Sequence, residues 1–399
     1  MNASRSYVFL VLGLCGLVIL LTLTLNLLLA ANDLRFDKNN LASAWQHKTH
    51  GVTFAPPINY NRPFKILRLN DRIGDINTVI FGSSTAMSLR QDAFPPLMKV
   101  YNFAQSGESL MLVIGDAEYI AEHWGKSVKF LIIPLDWSLG FPYEPGTPPA
   151  ANLSDAALIK SSSAVSGSAI ASRIKDAVTL PQIKNLLRIL GEVLRSKHKL
   201  AVFEQIFFEP SSRDYLCPDG TVARDFGTLS RGLCAGFRYD GSATFSNERP
   251  VQPSRQQLLV EEAANESSQY SKALESTKGE PNPIILNRLA ALAHRFARDG
   301  GRVVFFLPPL IPTLEQNLLK THYAGPYLAH TKEVLDKWAK REGLVILDAG
   351  ASEKFGCKAT EFIDPHHALP DCFKKVFAEF WKAYMSPQSV KPGLYRAAG

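Results

Sequence analysis

A short apolar run ending in small residues decides the fold of this chain of 399 residues, and it reads Thr78-Val79-Ile80-Phe81-Gly82-Ser83-Ser84. Consecutive β-branched and aromatic residues are typical of a buried strand. The glycine and serines that follow predict a tight turn, after which the sequence is compatible with a helix. Ligands bind beyond the carboxyl ends of parallel strands, so Ser84 is a candidate functional residue.

Strands and helices alternate outward from this run. Further apolar runs at 100–103, 128–134, 302–307 and 344–347 predict strands, and segments with helical periodicity lie between them. Five strands with interleaved helices predict an α/β fold built on a parallel sheet. The alternation is interrupted at about 145–280, which we interpret as an insertion in a main domain at 71–385. The tail at 386–399 is predicted to be loose.

An apolar segment near the N-terminus predicts a membrane anchor. No charged side chain occurs between Tyr7 and Asn32, and at about 1.5 Å per residue this length crosses a hydrocarbon core of roughly 30 Å. Leu29 before Ala30 and Ala31 makes a poor cleavage site, which favours an uncleaved anchor over a removed signal peptide. We therefore expect a cytoplasmic tip and anchor at 1–32, membrane contact through 7–31, and a juxtamembrane stalk at 33–70.

The cysteines indicate an oxidising compartment. Cys15 lies in the apolar segment, and the other four form two local pairs, Cys217–Cys234 and Cys357–Cys372. A disulfide closing a loop of this size contributes about 3 kcal/mol, and such bonds persist outside the cytoplasm. Zinc is the alternative, but neither pair has the Cys-x2-Cys spacing. We expect two disulfides, no metal or other cofactor, and a single-pass inner-membrane protein with its soluble domain in the periplasm or outside.

The charge distribution narrows the class of partner. The net charge is +7, without a run of five or six basic residues, which suits an anionic envelope surface and argues against a nucleic-acid partner. No glycine-rich phosphate loop is present, so nucleotide binding is not expected. The segment Arg238-Tyr239-Asp240-Gly241 is either a plain turn or a sugar contact, and Arg238 is therefore a substrate-binding candidate.

A second motif could supply the base that a serine nucleophile requires. Asp364-Pro365-His366-His367 precedes a C-terminal helical segment. A carboxylate three residues before an imidazole on a tight turn can hold that ring in one tautomer, and a serine hydroxyl is a poor nucleophile without such a base. His366 lies nearer to Asp364 in sequence and is expected to point elsewhere. Plain alternatives are a helix cap at Ser83 or Ser84 and a surface turn with Asp364 as a cap.

Together the motifs resemble the SGNH (GDSL-type) hydrolase superfamily. The resemblance rests on Phe81-Gly82-Ser83-Ser84, on the segment 102–107 that starts with Asn and ends with Gly, and on Asp364 to His367. It spans some two hundred residues, at about 75–140 and 284–385. It implies a three-layer α/β/α fold with Ser84 as nucleophile, His367 as base and Asp364 as its orienting partner. It also implies an oxyanion hole that includes the backbone N–H groups of Ser84 and Gly107.

Two departures from the family pattern refine this expectation. Gly-Ser-Ser in place of Gly-Asp-Ser resembles the membrane-anchored envelope branch, which includes alginate acetylation proteins and the D-alanyl transfer protein of teichoic acid synthesis. The family's third block offers an Asn to the oxyanion, whereas the matching strand here leads to Asp136. An ionised carboxylate only accepts hydrogen bonds. Either Asp136 binds a hydroxyl of the acyl acceptor, or another group completes the hole.

The sequence thus predicts serine-dependent chemistry at the cell envelope. We expect transfer or hydrolysis of an acyl group, most simply acetyl, on an envelope glycan through an acyl-enzyme at Ser84. The expected partners are the glycan or the acyl donor. The alternative is a non-catalytic SGNH-like module that binds glycan or serves as a scaffold for a membrane acyltransferase.

Overall fold

The structure divides the chain into two compact units. Unit 1 comprises Met1–Ile58 and Ala157–Gly236, and unit 2 comprises Asn59–Ala156 and Phe237–Gly399. The computed structural model describes residues 3–36, 38–54, 62–136, 180–195, 199–200, 203, 207, 214–226, 234–244, 270–272, 274–322, 324–385 and 390–396. The predicted insertion at 145–280 is therefore shared between the units, and much of it lies outside the described residues.

The described residues form helices and short strands that alternate along the chain. The helices are α1 (Ala3–Phe36), α2 (Lys38–Thr49), α3 (Arg62–Arg72), α4 (Leu110–Trp124), α5 (Leu180–Arg195), α6 (Pro283–Arg298), α7 (Leu314–Lys320), α8 (Ala324–Glu342) and α9 (Pro370–Tyr384). The strands are β1 (Val52–Phe54), β2 (Thr78–Ile80), β3 (Val100–Asn102), β4 (Phe130–Pro134), β5 (Tyr215–Leu216), β6 (Val222–Asp225), β7 (Gly236–Phe237), β8 (Ala243–Thr244), β9 (Arg302–Leu307), β10 (Val345–Asp348), β11 (Phe362–Asp364), β12 (His367–Ala368) and β13 (Gly393–Tyr395).

Unit 1 contains the apolar N-terminal helix. Within α1 the segment Tyr7–Leu28 has 22 residues and a mean hydropathy of 2.8, so it is long and apolar enough to cross a membrane. Near its end Leu25 is buried against an apolar stripe of α5 that includes Leu186 and Ile189. Elsewhere in this unit β6 pairs with β1 in parallel and with β5 in antiparallel orientation. The Cys217–Cys234 disulfide closes the loop that carries β6.

The expected stalk is more ordered than its composition suggested. The described residues of 33–70 include α2, β1 and most of α3. Helix α3 belongs to unit 2, where Phe64, Ile66 and Leu69 are buried. Its charged residues Lys65 and Arg68 are buried as well, which obscures the apolar face of this helix in the sequence.

Unit 2 is built on a six-stranded sheet in the order β13-β10-β9-β4-β2-β3. Every neighbouring pair in this sheet is parallel. This arrangement confirms the predicted α/β class with a parallel sheet. Central residues such as Val79, Leu131 and Phe305 are fully buried, as expected for strands covered on both faces. The carboxyl ends of β2, β4, β9 and β10 consequently lie along one edge.

The C-terminal tail differs from the prediction of a loose segment. Val345 of β10 pairs in register with Gly393 of β13, which makes β13 the edge strand of the sheet. Leu394 N donates to Asp336 Oδ1 at 2.9 Å, and Arg396 Nε donates to Asp348 Oδ2 at 3.1 Å. Residues 386–389 and 397–399 of the predicted tail lie outside the described residues.

Candidate active site

Ser84 follows β2 through a turn that requires glycine. Gly82 has φ of 130°, and a β-carbon there would lie 2.3 Å from Pro134 Cγ. The chain then forms a single 3-10 turn at Ser84–Ala86, capped by Ser83, whose Oγ accepts from Thr85 N at 3.4 Å. Ser83 is buried and Ser84 is half-buried. The helix-cap role is therefore taken by Ser83, and the Ser84 hydroxyl is left for another partner.

That partner is the imidazole of His367. The Ser84 Oγ and His367 Nε2 lie 2.8 Å apart, and His367 Nδ1 and Asp364 Oδ2 lie 2.6 Å apart. Since an ionised carboxylate only accepts, Nδ1 carries the proton and Nε2 is free to accept from the serine hydroxyl. The structure thus joins the three predicted triad residues in one hydrogen-bond chain. This is the arrangement in which a histidine acts as general base toward a serine.

Asp364 is fixed by backbone as well as by the ring. Its Oδ1 accepts from His367 N at 2.9 Å and from His366 N at 3.1 Å. Burial of Asp364 opposes its ionisation, but the hydrogen bond and charge of His367, followed by the charge and backbone N–H of His366, outweigh burial and lower its pKa to about 2. The carboxylate is therefore ionised throughout the physiological pH range, as an orienting partner must be.

A covalently closed loop carries Asp364 and His367. Both residues lie on the short antiparallel pair β11–β12, between the disulfide-bonded Cys357 and Cys372. Ile311 N donates to Pro365 O at 2.8 Å, and Ser88 Oγ donates to Ala368 O. The loop is thus attached both to the segment after β9 and to the segment that follows the Ser84 turn.

The end of β3 and the loop that follows it are hydrogen-bonded to the chain around Ser84. Asn102 Nδ2 donates to Ala86 O and to Leu89 O, each at 2.8 Å. Asn102 is fully buried. Further along, Gln105 N donates to Gly82 O at 2.8 Å. Gly107, the predicted oxyanion residue, has φ of 70° and lies in the turn before α4.

A small cleft adjoins the triad. Asp136, which follows β4, and His366 both line it, together with Thr85, Tyr270, Pro308 and Leu310. The rings of His366 and His367 are tilted with centroids 4.1 Å apart. The structure therefore brings the substrate-binding candidate Asp136 to the site. It also gives His366 a place beside the triad that the sequence did not indicate, since periodicity cannot show which way a turn residue points.

The other substrate-binding candidate lies on a separate hairpin. Arg238 N donates to Ser242 O at 2.8 Å in the turn that leads from β7 to β8, and Arg238 is not among the described residues that line the cleft. Asp240 in this hairpin accepts from Gln91 N at 2.9 Å through its Oδ2, and Ala243 N donates to Met87 O at 2.7 Å. The hairpin thus braces the segment after Ser84, a role that the sequence did not reveal.

Metal binding is a second chemistry to weigh for this cluster of described residues. Asp364, His366 and His367 offer ligand atoms within 4.8 Å of one another. Two ligands bound to one tetrahedral zinc ion are separated by about 3.3 Å, given Zn–N distances of about 2.0 Å. The 2.6 Å between His367 Nδ1 and Asp364 Oδ2 is instead a hydrogen-bond distance. In the second such group, Cys357, Glu361 and Cys372, the two cysteines form a disulfide.

Comparisons of the chain with protein-family models, with curated proteins and with solved structures each find no match.

Proposed function

We propose that the chain is an SGNH-type, serine-dependent O-acyltransferase or esterase with a three-layer α/β/α catalytic domain. Its substrate is an acyl group, most simply acetyl, on a cell-envelope glycan. The observation that supports the proposal is the hydrogen-bond chain from Ser84 through His367 to Asp364 at 2.8 and 2.6 Å. These distances are those of a general base prepared to take a proton from a serine hydroxyl.

The first half of the reaction forms an acyl-enzyme. Ser84 Oγ attacks the carbonyl carbon of the ester while its proton passes to His367 Nε2, and ionised Asp364 stabilises the resulting imidazolium. The tetrahedral intermediate collapses when the C–O bond to the leaving alcohol breaks and His367 returns the proton to that oxygen. The acyl group is then esterified to Ser84.

The second half transfers the acyl group to an acceptor. An acceptor O–H gives its proton to His367 as its oxygen attacks the acyl-enzyme, and Ser84 leaves with that proton. The acceptor is water in hydrolysis and a sugar hydroxyl in transfer. Asp136 in the cleft supports transfer, because a carboxylate accepts a hydrogen bond from a sugar hydroxyl and so holds it near the acyl-enzyme.

The rest of the chain supports an envelope location. The apolar helix α1 is long enough to anchor the protein in the inner membrane. Two disulfides suit a soluble part exposed to the periplasm or the exterior. A glycan or its acyl donor is the substrate partner that such a location offers.

A fluorophosphonate probe tests the nucleophile directly. The wild-type chain should become labelled at Ser84, and Ser84→Ala should abolish the label, because only the hydroxyl activated by His367 attacks the probe. Ser83→Ala is the matched control and should keep the label, since Ser83 serves as the cap. Intact-mass and peptide-mass measurements report both the amount and the site of labelling.

One observation favours a second candidate function. Asp136 stands where an oxyanion-binding amide is expected, and a carboxylate cannot make that contact. A folded wild-type chain that binds an acetylated glycan but resists the probe would contradict the enzymatic proposal. That result would favour a non-catalytic glycan-binding module or a scaffold for a membrane acyltransferase.

A further inference from the structure

Helix α5 has an apolar face that the rest of the chain covers only in part. Its buried residues, which pack in one cluster with Leu25 of α1, are Leu186, Ile189 and Val193. Leu187 and Leu194 remain 63% and 66% exposed. They lie three residues before and four residues after Leu190, which packs against the cluster, so they share its side of the helix. The exposed leucines therefore continue the buried stripe as one apolar surface.

The contact with α1 gives the level of this surface relative to a membrane. Leu25 lies within Tyr7–Leu28, the segment that is long and apolar enough to cross a bilayer. Leu17 and Leu21 are exposed, so within this segment α5 meets the anchor only near its end. Leu25 lies three positions before Leu28, a rise of about 4.5 Å. Amphipathic helices bury their apolar faces roughly 5–10 Å into the boundary between headgroups and acyl chains, which is a similar depth.

Basic side chains lie beside the exposed leucines. Lys184 and Arg195 are both exposed and eleven positions apart, which is about three helical turns, so they lie on one face of α5. Lys184 is three positions before Leu187, and Arg195 follows Leu194 directly. Lysine and arginine on the polar face of an amphipathic helix are attracted to anionic lipid headgroups. The charges of α5 are thus arranged as a bilayer surface requires.

We infer that α5 binds the membrane surface beside the point where α1 leaves the bilayer. Leu187 and Leu194 then contact acyl chains, and the two basic side chains contact lipid phosphates. The partner of this face is phospholipid, and unit 1 is held at the bilayer by two helices instead of one. This inference goes beyond the chemistry proposed at Ser84 and rests only on the proposed anchoring by α1.

The cysteines allow a site-specific test in the full-length chain. Of the five cysteines, four form disulfides, and Cys15 is free and exposed. A nitroxide label on Cys15 of the wild type reports on the anchor. In a Cys15→Ala background, Leu187→Cys and Leu194→Cys place the same label on α5. Each chain is reconstituted in vesicles of phosphatidylcholine and phosphatidylglycerol, and electron paramagnetic resonance measures collisions of the label with oxygen and with a polar nickel chelate.

The expected result is a lipid environment for both labels on α5. Leu216→Cys is the matched control, because Leu216 is a leucine of unit 1 that is 75% exposed and lies on β5. The ratio of oxygen to chelate collisions at Leu187→Cys and Leu194→Cys should exceed the control ratio at least about five-fold, since hydrocarbon excludes the polar chelate. The melting temperatures should match that of the wild type, because all three leucines are exposed.

Charge reversal tests the contact with lipid phosphates. With the label at Leu194→Cys, Lys184→Glu and Arg195→Glu together should lower the collision ratio at least about two-fold, since basic residues near an anionic surface attract it. Lys99→Glu with Lys126→Glu is the control, because both lysines are exposed in unit 2. It makes the same change in net charge and should leave the ratio unchanged.

The outcomes separate this inference from the proposed anchor. A Cys15 label in lipid, beside labels at Leu187→Cys and Leu194→Cys as open to the chelate as the control, would overturn the role of α5 alone. Labels at both positions that are shielded from oxygen and chelate alike would overturn it too, and would indicate a protein partner on this face. A Cys15 label that is open to the chelate would overturn the anchor and this inference together. Fluorophosphonate labelling at Ser84 tests the proposed chemistry independently of these results.

Discussion

At the scale of single residues, the proposed chemistry depends on one hydrogen-bond chain that joins Ser84, His367 and Asp364. Asp364 and His367 could be predicted because their spacing on one turn has a clear chemical use. Ser83 and Ser84 cannot be told apart from the sequence alone. In the structure Ser83 Oγ accepts from Thr85 N as a cap, whereas Ser84 Oγ lies next to His367 Nε2.

Asp364→Asn tests the orienting carboxylate. The amide is almost the same size, but its N–H can donate to His367 Nδ1. The ring proton then lies on Nε2, and Nε2 no longer accepts from the Ser84 hydroxyl. We expect kcat toward p-nitrophenyl acetate to fall by roughly 10⁴-fold, as for removal of the negative charge from such a triad. Unchanged circular dichroism would serve as the folding control. A variant with kcat within ten-fold of the wild type would contradict the assigned role.

The same variant should also change how the stability of the protein depends on pH. Because the folded-state pKa of Asp364 is lowered to about 2, this carboxylate stabilises the fold above its ordinary pKa near 4, and the stabilisation is lost as the pH falls toward 2. The expected contribution is about 1 to 2 kcal/mol after allowance for partial exposure. Urea unfolding from pH 2 to 6 should show that the wild type has a larger free energy of unfolding than Asp364→Asn. This difference should become smaller below pH 4.

At the scale of helices and strands, an element could be predicted where its own residues carry a clear pattern, and not where contacts distant in sequence determine it. The five predicted strands are apolar runs, and all of them appear in the sheet. Strand β13 has only three residues, too few to give a sequence pattern. Its position depends on pairing with β10 and on the Leu394 contact to Asp336, and both partners are distant from β13 in sequence. Helix α3 was missed because it buries Lys65, whose Nζ donates to Asn102 O at 2.8 Å and lies 4.4 Å from the Phe237 ring centroid.

The Cys357–Cys372 disulfide should matter both for stability and for the triad. It closes the loop that carries β11 and β12, and a cross-link of 15 residues in sequence separation stabilises by about 3 kcal/mol. We expect the double variant Cys357→Ser/Cys372→Ser to lose about this free energy of unfolding. Its labelling rate at Ser84 should also drop, because His367 is less well held.

The other disulfide offers the control for this experiment. Cys217–Cys234 has a sequence separation of 17 and lies in unit 1. The double variant Cys217→Ser/Cys234→Ser should leave the rate of labelling at Ser84 unchanged. Equal loss of labelling in both double variants would show that the Cys357–Cys372 bond has no special role at the triad.

At the scale of the whole molecule, the chain combines an apolar helix with a separate α/β unit. The parallel sheet and the apolar helix could be predicted because each has a strong sequence signal. The division of the chain could not, since Ala157–Gly236 groups with Met1–Ile58 through contacts that join distant segments. One such contact is that of Leu25 with α5.

Charged residues in the middle of α1 should release the protein from the membrane. Leu14 and Val18 are exposed in the structure, so replacing both with Arg removes no packing within the chain. Each Arg near the centre of a bilayer costs about 2.5 to 3.5 kcal/mol. We expect the double variant to leave carbonate-washed membranes, whereas Leu41→Arg, an exposed position outside the apolar segment, should stay. A mature wild-type chain that begins after residue 31 would contradict an uncleaved anchor.

The contact between Gly82 and Pro134 also offers a way to recognise distant relatives. Any other residue at position 82 would need both an unfavourable backbone angle and the space that the proline ring occupies. Gly82, two positions before the proposed nucleophile, should therefore be retained in related sequences even where most other residues differ. The residue at the end of the neighbouring strand should also leave room for it. A sequence search that scores these two positions together with Ser84 and the Asp-x-x-His motif should therefore be more selective than one that scores the Asp-x-x-His motif alone.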